Sequence, residues 1–317
     1  MSLSVKISKE RFTSQNYKTT PKTNGNLCKP VIIDIRKTFF GWFSHERQSA
    51  SRDIELLVET FQQLGFPDYH LVSDQNSRLE TDPLYSIENL KDELQSIASD
   101  EGITTDSELF LCVVLAFGDS GYFYLPNDPI SDCQPRDGKP PRFYTSDLLS
   151  HFKADVCPSL ILKPKIFLIQ TCDPNLKQKD KSLFGDISEP TPQLHRTPTE
   201  ADLLIYHCLV SGGYTDKMKK ETKESLKNII DHVGDENGNS ACQFVYTLYK
   251  EVKALIDRAE EFEWTDLILN INNSLMEFID DETGHYKSDE WNKPWNIEPR
   301  IPVCVDQLTK KLVLKTR

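Results

Sequence analysis

Two uninterrupted apolar segments constrain the fold of this chain more than any other feature of its sequence. The first covers Leu109–Ala116, and the second covers Ile166–Gln170, in which four apolar residues precede the final glutamine. Both are far too short to cross a bilayer. Continuous apolar runs of this length are typical of strands that are buried on both faces of a mostly parallel sheet. The chain is therefore predicted to be an α/β protein.

Helical and strand patterns alternate around these two segments. Val31–Ile35 is a β-branched run, Asp53–Leu64 has apolar residues at helical spacing, and Ser86–Ile97 has the same spacing behind the possible cap Ser86. The other predicted elements are a strand at 68–72, a short helix at 146–152, a strand at 201–210, helices at about 240–256 and 264–279, and closing strand segments at 301–305 and 311–314. Strand, helix and strand in repeated order argue for an α/β fold.

Charge and cysteine spacing exclude several functional classes. The chain has 37 Lys and Arg against 49 Asp and Glu, a net charge of -12, which disfavours binding to phosphate backbones or anionic lipid. No nucleic acid or membrane partner is expected. The eight cysteines include no CxxC pair, so neither a metal site nor a disulfide framework is indicated, and no cofactor is predicted. The chain is expected to be cytoplasmic.

One segment carries a resemblance to a known family. Lys163–Cys172 ends in Gln170-Thr171-Cys172 and resembles the nucleophile strand of the caspases, whose signature is Gln-Ala-Cys followed by Arg, Gln or Gly, and then Gly. Three more segments resemble that family in the same order: Leu57–Gly65, Glu200–Leu204 and Ile301–Leu312. The resemblance implies a caspase-like three-layer α/β/α sandwich around a mostly parallel six-stranded sheet.

The resemblance also implies a division of the chain into four parts. Residues 1–28 are expected to be a short disordered leader, and residues 29–172 resemble the caspase large subunit. Residues 173–199 contain several lysines and prolines and little that could pack, so they are predicted to be an intersubunit linker. Residues 200–317 resemble the small subunit.

The catalytic positions depart from the family pattern. Cys172 falls at the nucleophile position and Gly118 at the oxyanion position, but Phe117 stands where the family has its histidine. No histidine occurs between His70 and His151. A phenyl ring can neither accept nor donate the proton that cysteine catalysis must move, and such acid–base help is typically worth roughly 10²- to 10⁴-fold in rate. The resemblance therefore implies an impaired active site.

The implied substrate pocket departs from the pattern as well. In the family, two arginines and a glutamine hold the substrate aspartate, and here Arg47 and Gln170 fall at two of those positions. Lys217 stands at the third position, where lysine cannot reproduce bidentate guanidinium recognition. For Arg47 a surface ion pair at the entrance of a helix is an equal alternative.

The closing segment is predicted to be an assembly edge. In the family the last strand pairs antiparallel with its copy in a second subunit. The residues that would form this dimer edge are Val303, Val305, Leu312, Val313 and Leu314. An uncovered β-prone apolar edge invites aggregation, so an active caspase, an adaptor or a second copy of this chain is the expected partner. The alternative is a monomer whose edge is covered by the segment with Trp291 and Trp295.

Two functions of different classes follow. The first is a catalytically impaired caspase homologue, a pseudo-caspase, that regulates apoptotic caspase activity through dimerisation with an active caspase or an adaptor. The second is a weak or atypical cysteine endopeptidase that uses Cys172. The histidine gap and Lys217 favour the first function. His151, His195 and His207 are expected to be ordinary core or surface histidines rather than replacement bases.

Overall fold

The computed structural model describes residues 15–17, 19, 27–40, 43–74, 86–119, 121–126, 140–173, 201–211, 241–258, 261–276 and 302–315. Lys217, His195, Trp291, Trp295 and the predicted linker from residue 174 onward lie outside the described residues.

Strands and helices alternate along the described chain. The strands are β1 (Val31–Asp34), β2 (Lys37–Phe40), β3 (Phe43–Glu46), β4 (His70–Ser73), β5 (Phe110–Asp119), β6 (Tyr122–Tyr124), β7 (Arg142–Tyr144), β8 (Lys165–Asp173), β9 (Leu203–Ser211), β10 (Glu261–Glu263), β11 (Val303–Asp306) and β12 (Val313–Lys315). The helices are α1 (Ala50–Gln63), α2 (Ile87–Ser99), α3 (Glu101–Thr104), α4 (Thr145–Ser150), α5 (Gln243–Arg258) and α6 (Trp264–Met276).

Six strands form the main path of the central sheet, in the order β11-β9-β8-β5-β1-β4, with β6 and β7 attached at the end of β5. The pairs of β1 with β4, β1 with β5, β5 with β8 and β8 with β9 are parallel, and β11 is antiparallel to β9. The central strand β5 is buried along nearly all of its length, as its continuous apolar sequence requires. The predicted mostly parallel six-stranded sheet is confirmed.

Helices cover both faces of this sheet and make it the middle of three layers. On one face α1 packs its apolar stripe, including Leu57 and Phe61, into a core shared with α5 and α6. On the other face Leu90 and Leu94 of α2 lie in a separate core. Ser86 caps α2 as predicted, because its hydroxyl accepts a hydrogen bond of 3.1 Å from the amide of Asn89. No helix among the described residues is long and apolar enough to span a membrane.

The closing segment is arranged differently from the predicted continuous edge. Strand β12 pairs antiparallel with β10 of its own chain, and Leu312 and Leu314 are each only 1% exposed. These two leucines belong to the core, because their side chains pack on the face that carries α5 and α6. Within the described part of the chain, β11 is therefore the strand at this edge of the sheet, and its Val303 is 59% exposed. Val305 of the same strand is partly buried.

Part of the predicted leader is docked on the fold. Tyr17 is 5% exposed and Cys28 is fully buried, so both belong to the core. The amide of Tyr17 donates a hydrogen bond of 2.9 Å to the carbonyl of Lys311. The expectation of a disordered leader therefore does not hold for these residues, since a backbone hydrogen bond fixes Tyr17 to the closing segment and Cys28 lies in the core.

Candidate active site

The candidate active site lies where β5 and β8 approach their carboxyl ends, the edge at which open α/β sheets bind ligands. Phe117 and Cys172 are register partners in this parallel pair. They are 6% and 5% exposed, and both belong to the core on the α1 side of the sheet. The phenyl ring therefore stands on the strand next to the thiol, where it offers no atom that accepts a proton.

Gln170 connects Cys172 to a second thiol. The Gln170 Nε2 donates a hydrogen bond of 3.0 Å to Sγ of Cys172, and Sγ of Cys242 donates one of 3.6 Å to Oε1 of the same amide. Burial raises the pKa of Cys242 well above its ordinary value, and burial also raises the pKa of Cys208 on β9 to about 12. Both neighbouring thiols are therefore protonated at neutral pH, and a neutral thiol cannot take a proton from Cys172.

Arg47 is held in a buried ion-pair cluster. Its Nη1 donates to Oδ1 of Asp34 at 2.8 Å and to the carbonyl of Leu115 at 2.9 Å, and its Nη2 donates to Oδ2 of Asp53 at 2.5 Å. The predicted alternative of an ion pair at the entrance of a helix is present before α1, but it is not on the surface, because the Arg47 side chain is 3% exposed and both carboxylates are fully buried. Burial alone would lower the pKa of Arg47, but Asp53 and Asp34 overcome this effect and raise it.

Asp53 joins this cluster to the start of α5. Its carboxylate accepts hydrogen bonds from the Ser49 hydroxyl at 2.8 Å and from the amide of Cys242 at 2.6 Å, besides the one from Arg47. Burial raises the pKa of Asp53, while Arg47 and the Cys242 amide act in the opposite direction. The amide just before α5 is thus held by a side chain of α1, close to Gln170, and the cluster holds this wall of the site in place.

Gly118 is required by close backbone approach. A Cβ at this position would lie 2.5 Å from the carbonyl oxygen of Tyr122 and 2.7 Å from Cα of Phe123. The reason is the tight antiparallel pair of β5 with β6, in which Gly118 faces Phe123. This steric requirement accounts for the glycine independently of any role at an oxyanion position.

His207 on β9 does not serve Cys172 as a base. His207 Nε2 lies 3.0 Å from the hydroxyl of Thr171. Successive side chains of a strand point to opposite faces of a sheet, so Thr171 and Cys172 face different layers. His207 therefore lies on the other side of the sheet from the thiol. Among the described residues, no group of three or more His, Cys, Asp or Glu is arranged to hold a metal ion.

Comparison with known proteins assigns the family. The family model described as "Caspase domain" matches residues 30–279, which is most of the chain. The chain belongs to the caspase family. It is 29% identical over 300 residues to Caspase-3 of Xenopus laevis, an alignment that covers 93% of this chain and 82% of that protein. It is 26% identical over 307 residues to Caspase-3 of Oryctolagus cuniculus, with 95% and 88% covered.

A solved caspase structure has the same fold. The crystal structure of Caspase-1 from Spodoptera frugiperda matches with a TM-score of 0.60 at 19% identity, and the match covers 96% of this chain and 95% of that one. The caspase-like three-layer α/β/α sandwich predicted from the sequence is therefore confirmed.

Five of the caspase positions named from the sequence come together at one end of the sheet. They are Arg47, Phe117, Gly118, Gln170 and Cys172. Arg47 reaches this group through the carbonyl of Leu115 on β5. The remaining position, at 217, lies outside the described residues.

Sequence reasoning missed the acidic half of this caspase site. In the sequence, Asp34 is part of the β-branched run Val31–Ile35, Asp53 is the start of a predicted helix, and Cys242 is one of eight cysteines without a CxxC pair. One signal was present in the sequence, since Asp34 interrupts the apolar run Val31–Ile35, which is predicted to be a strand. A carboxylate is almost never fully buried without a cationic partner, so that position called for an arginine or lysine.

Proposed function

We propose that this caspase-family chain is a catalytically impaired homologue that regulates apoptotic caspase activity by pairing with an active caspase or an adaptor. The observation that carries the proposal is the register of β5 and β8, which sets Phe117 beside Cys172. Thiol catalysis needs a group that moves protons at this place, and a phenyl ring cannot do so.

The engagement of Arg47 supports the same conclusion. Two buried carboxylates already pair with its guanidinium. A substrate aspartate would add a third carboxylate to a site with little water to screen it, and like charges in such a place disfavour the ionised form. The substitution of lysine at position 217, known from the sequence, weakens the pocket further.

The open edge strand supports a role in assembly. Among the residues that the structure describes, β11 pairs with β9 alone, and Val303 and Cys304 are exposed. An edge strand has unpaired backbone groups that can pair with another chain. We propose that this edge receives an active caspase, and that a second copy of this chain can take the same place. We place this activity in the cytoplasm.

The catalytic half of the proposal is tested with the purified chain. We expect no measurable cleavage of aspartate-containing peptides and no covalent labelling by an aspartyl fluoromethyl ketone. Phe117→His should restore little peptide cleavage, because the substrate pocket is altered as well as the position of the catalytic base. Hydrolysis by the unmodified chain that disappears in Cys172→Ala would establish an endopeptidase instead and overturn the proposal.

The assembly half is tested by sedimentation, with the chain alone and mixed with active caspases. We expect a heterodimer, and we expect Val303→Asp to abolish it because a charge then lies on the pairing edge. Val156→Asp is the matched control, since Val156 is 47% exposed and lies outside the sheet. A chain that stays monomeric in every mixture, with Val303→Asp indistinguishable from Val156→Asp, would refute the pairing.

A further inference from the structure

Tyr17 is anchored by its hydroxyl as well as by its ring. The hydroxyl donates a hydrogen bond of 2.6 Å to Oδ1 of Asp202 and accepts one of 3.0 Å from the amide of Thr309. Burial raises the pKa of Tyr17, and the hydrogen bond to Asp202 raises it further, so the hydroxyl remains a donor at neutral pH. The side chain is therefore seated in a polar slot rather than simply covered by apolar neighbours.

The backbone around Tyr17 adds a strand-like contact. The amide of Tyr17 donates to the carbonyl of Lys311 at 2.9 Å, and the amide of Lys311 donates to the carbonyl of Gln15 at 3.1 Å. Asn16 and Lys311 form a parallel bridge. Main-chain hydrogen bonds combined with a side-chain slot are the means by which extended segments dock on folded domains.

Asp202 transmits this contact to the central sheet. It lies directly before β9 with φ of 64°, a left-handed conformation that few residues other than glycine adopt. Its carbonyl accepts from the amide of Lys165 at 2.8 Å, and its amide donates to the carbonyl of Gln307 at 3.1 Å. Its carboxylate also accepts from the Thr309 hydroxyl. The residue that holds Tyr17 thus also holds the beginnings of β8 and β9.

The same contacts fix the turn that follows the edge strand. The amide of Gln307 donates to the carbonyl of Leu203 at 2.8 Å, and the amide of Leu308 donates to Oδ1 of Asp306 at 2.9 Å. Asp306 is the last residue of β11. The chain from Asp306 to Lys311 is therefore bound on one side by β9 and on the other by the Tyr17 segment.

We propose that residues 15–17 are a docking element for the small-subunit-like region, which fixes the turn after β11 and thereby sets the edge strand in position for a partner. The docking step stands on the contacts of Tyr17, Asp202 and Thr309. The effect on a partner rests on the proposed function of β11.

Hydrogen exchange of the full chain tests the docking step. Tyr17→Phe keeps the buried ring and removes only the hydroxyl, so the fold should survive. Because a hydrogen bond to a charged group is lost, we expect the amides of Gln307, Thr309 and Lys311 to exchange about tenfold faster. The matched control is Tyr249→Phe, whose hydroxyl also donates to a carboxylate, that of Glu59, at 2.9 Å on another part of the fold.

Two outcomes overturn the docking element. The first is unchanged exchange of residues 307–311 in Tyr17→Phe and in Tyr17→Ala. The second is an equal increase in the exchange rate of residues 307–311 in the Tyr249→Phe control, which would mean that either change destabilises the whole fold.

Sedimentation with an active caspase then tests the effect on the edge separately. We expect Tyr17→Phe to weaken a pairing that Tyr249→Phe leaves intact. Equal pairing in the two variants, with faster exchange in Tyr17→Phe, would overturn the coupling to β11. An unmodified chain that pairs with nothing would refute the proposed function, while the exchange result would still decide the docking step.

Discussion

Replacing Arg47 with methionine tests whether the buried ion-pair cluster is part of the framework. The change removes the positive partner from Asp34 and Asp53, which lie 2.8 and 2.5 Å from the guanidinium and are fully buried. Removing one partner of a buried pair costs roughly 3–5 kcal/mol. Arg36 still contacts Asp34, and the amide of Cys242 still donates to Asp53. The free energy of unfolding should therefore fall by about 3 kcal/mol, near the lower end of the range for breaking a buried pair.

Urea denaturation followed by circular dichroism at neutral pH measures this loss. The matched control is Arg52→Met, because Arg52 makes a similar ion pair with Glu55 at 2.8 Å on the surface of α1, where Glu55 is 58% exposed. Surface pairs of this kind contribute about 0–1 kcal/mol. Arg47→Lys should lie between the two variants, since lysine keeps the charge but cannot reach both carboxylates in the geometry of a guanidinium.

A small effect would refute this reasoning. If the free energy of unfolding of Arg47→Met falls by less than about 1 kcal/mol, which is no more than a surface ion pair contributes, the fold does not need the guanidinium. It would then be available to a substrate carboxylate, which would weaken the case for an impaired pocket. The double variant Asp34→Asn with Arg47→Met gives a second check. Its loss should be smaller than the sum of the two single losses, because the residues share one interaction.

Three other predictions follow from buried groups. Burial lowers the pKa of His151, so the unfolded chain binds the proton first as the pH falls, and the contribution of the neutral histidine to stability is complete above about pH 6.5 and is lost below it. Urea titrations at pH 7.5 and 5.5 should therefore show a smaller loss of stability for His151→Gln than for the unmodified chain. Cys304 is the exposed residue among the described cysteines, so of these iodoacetamide at pH 8 should modify it first, though slowly, because partial burial of its thiol and the nearby Asp306 raise its pKa to about 11. Mass analysis that shows Cys172 modified before Cys304 would contradict an unreactive site. Gly118→Ala should lower the free energy of unfolding by about 1–3 kcal/mol, because its Cβ would overlap the backbone of β6, and an unchanged urea midpoint would contradict that geometry.

Local periodicity was sufficient to predict the α/β class and several of its strands and helices, while the three-layer arrangement came from the resemblance to the caspases. The apolar run of β5 and the helical spacing of α1 and α2 depend on which faces are buried, and burial leaves a direct pattern in the sequence. The placement of Phe117 beside Cys172 came from the resemblance to the caspases and not from periodicity, and the pairing of β5 with β8 makes the two residues register partners. That part of the candidate site could be placed before any coordinates.

The partners of these residues could not be predicted in the same way. Asp34, Arg47 and Asp53 come from a strand, a turn and a helix, and only the packing of α1 against the sheet brings the three charges together. Leu312 and Leu314 have the alternating apolar pattern of a strand, which does not say whether that strand pairs with a second chain or with β10. Tyr17 lies in a polar segment with no pattern of its own, and its position depends on a slot formed by residues almost 200 and 300 positions away.

The parallel pairing of β8 with β9 has a consequence for the chain after proteolysis. The segment that joins these strands is residues 174–202, so a cut anywhere within it separates two neighbours that remain in register from Lys165 with Leu203 to Asp173 with Ser211. The two fragments would stay together through the sheet, and unfolding would become a dissociation as well. The melting temperature of the cut protein would then rise with its concentration, whereas that of the intact monomer would not.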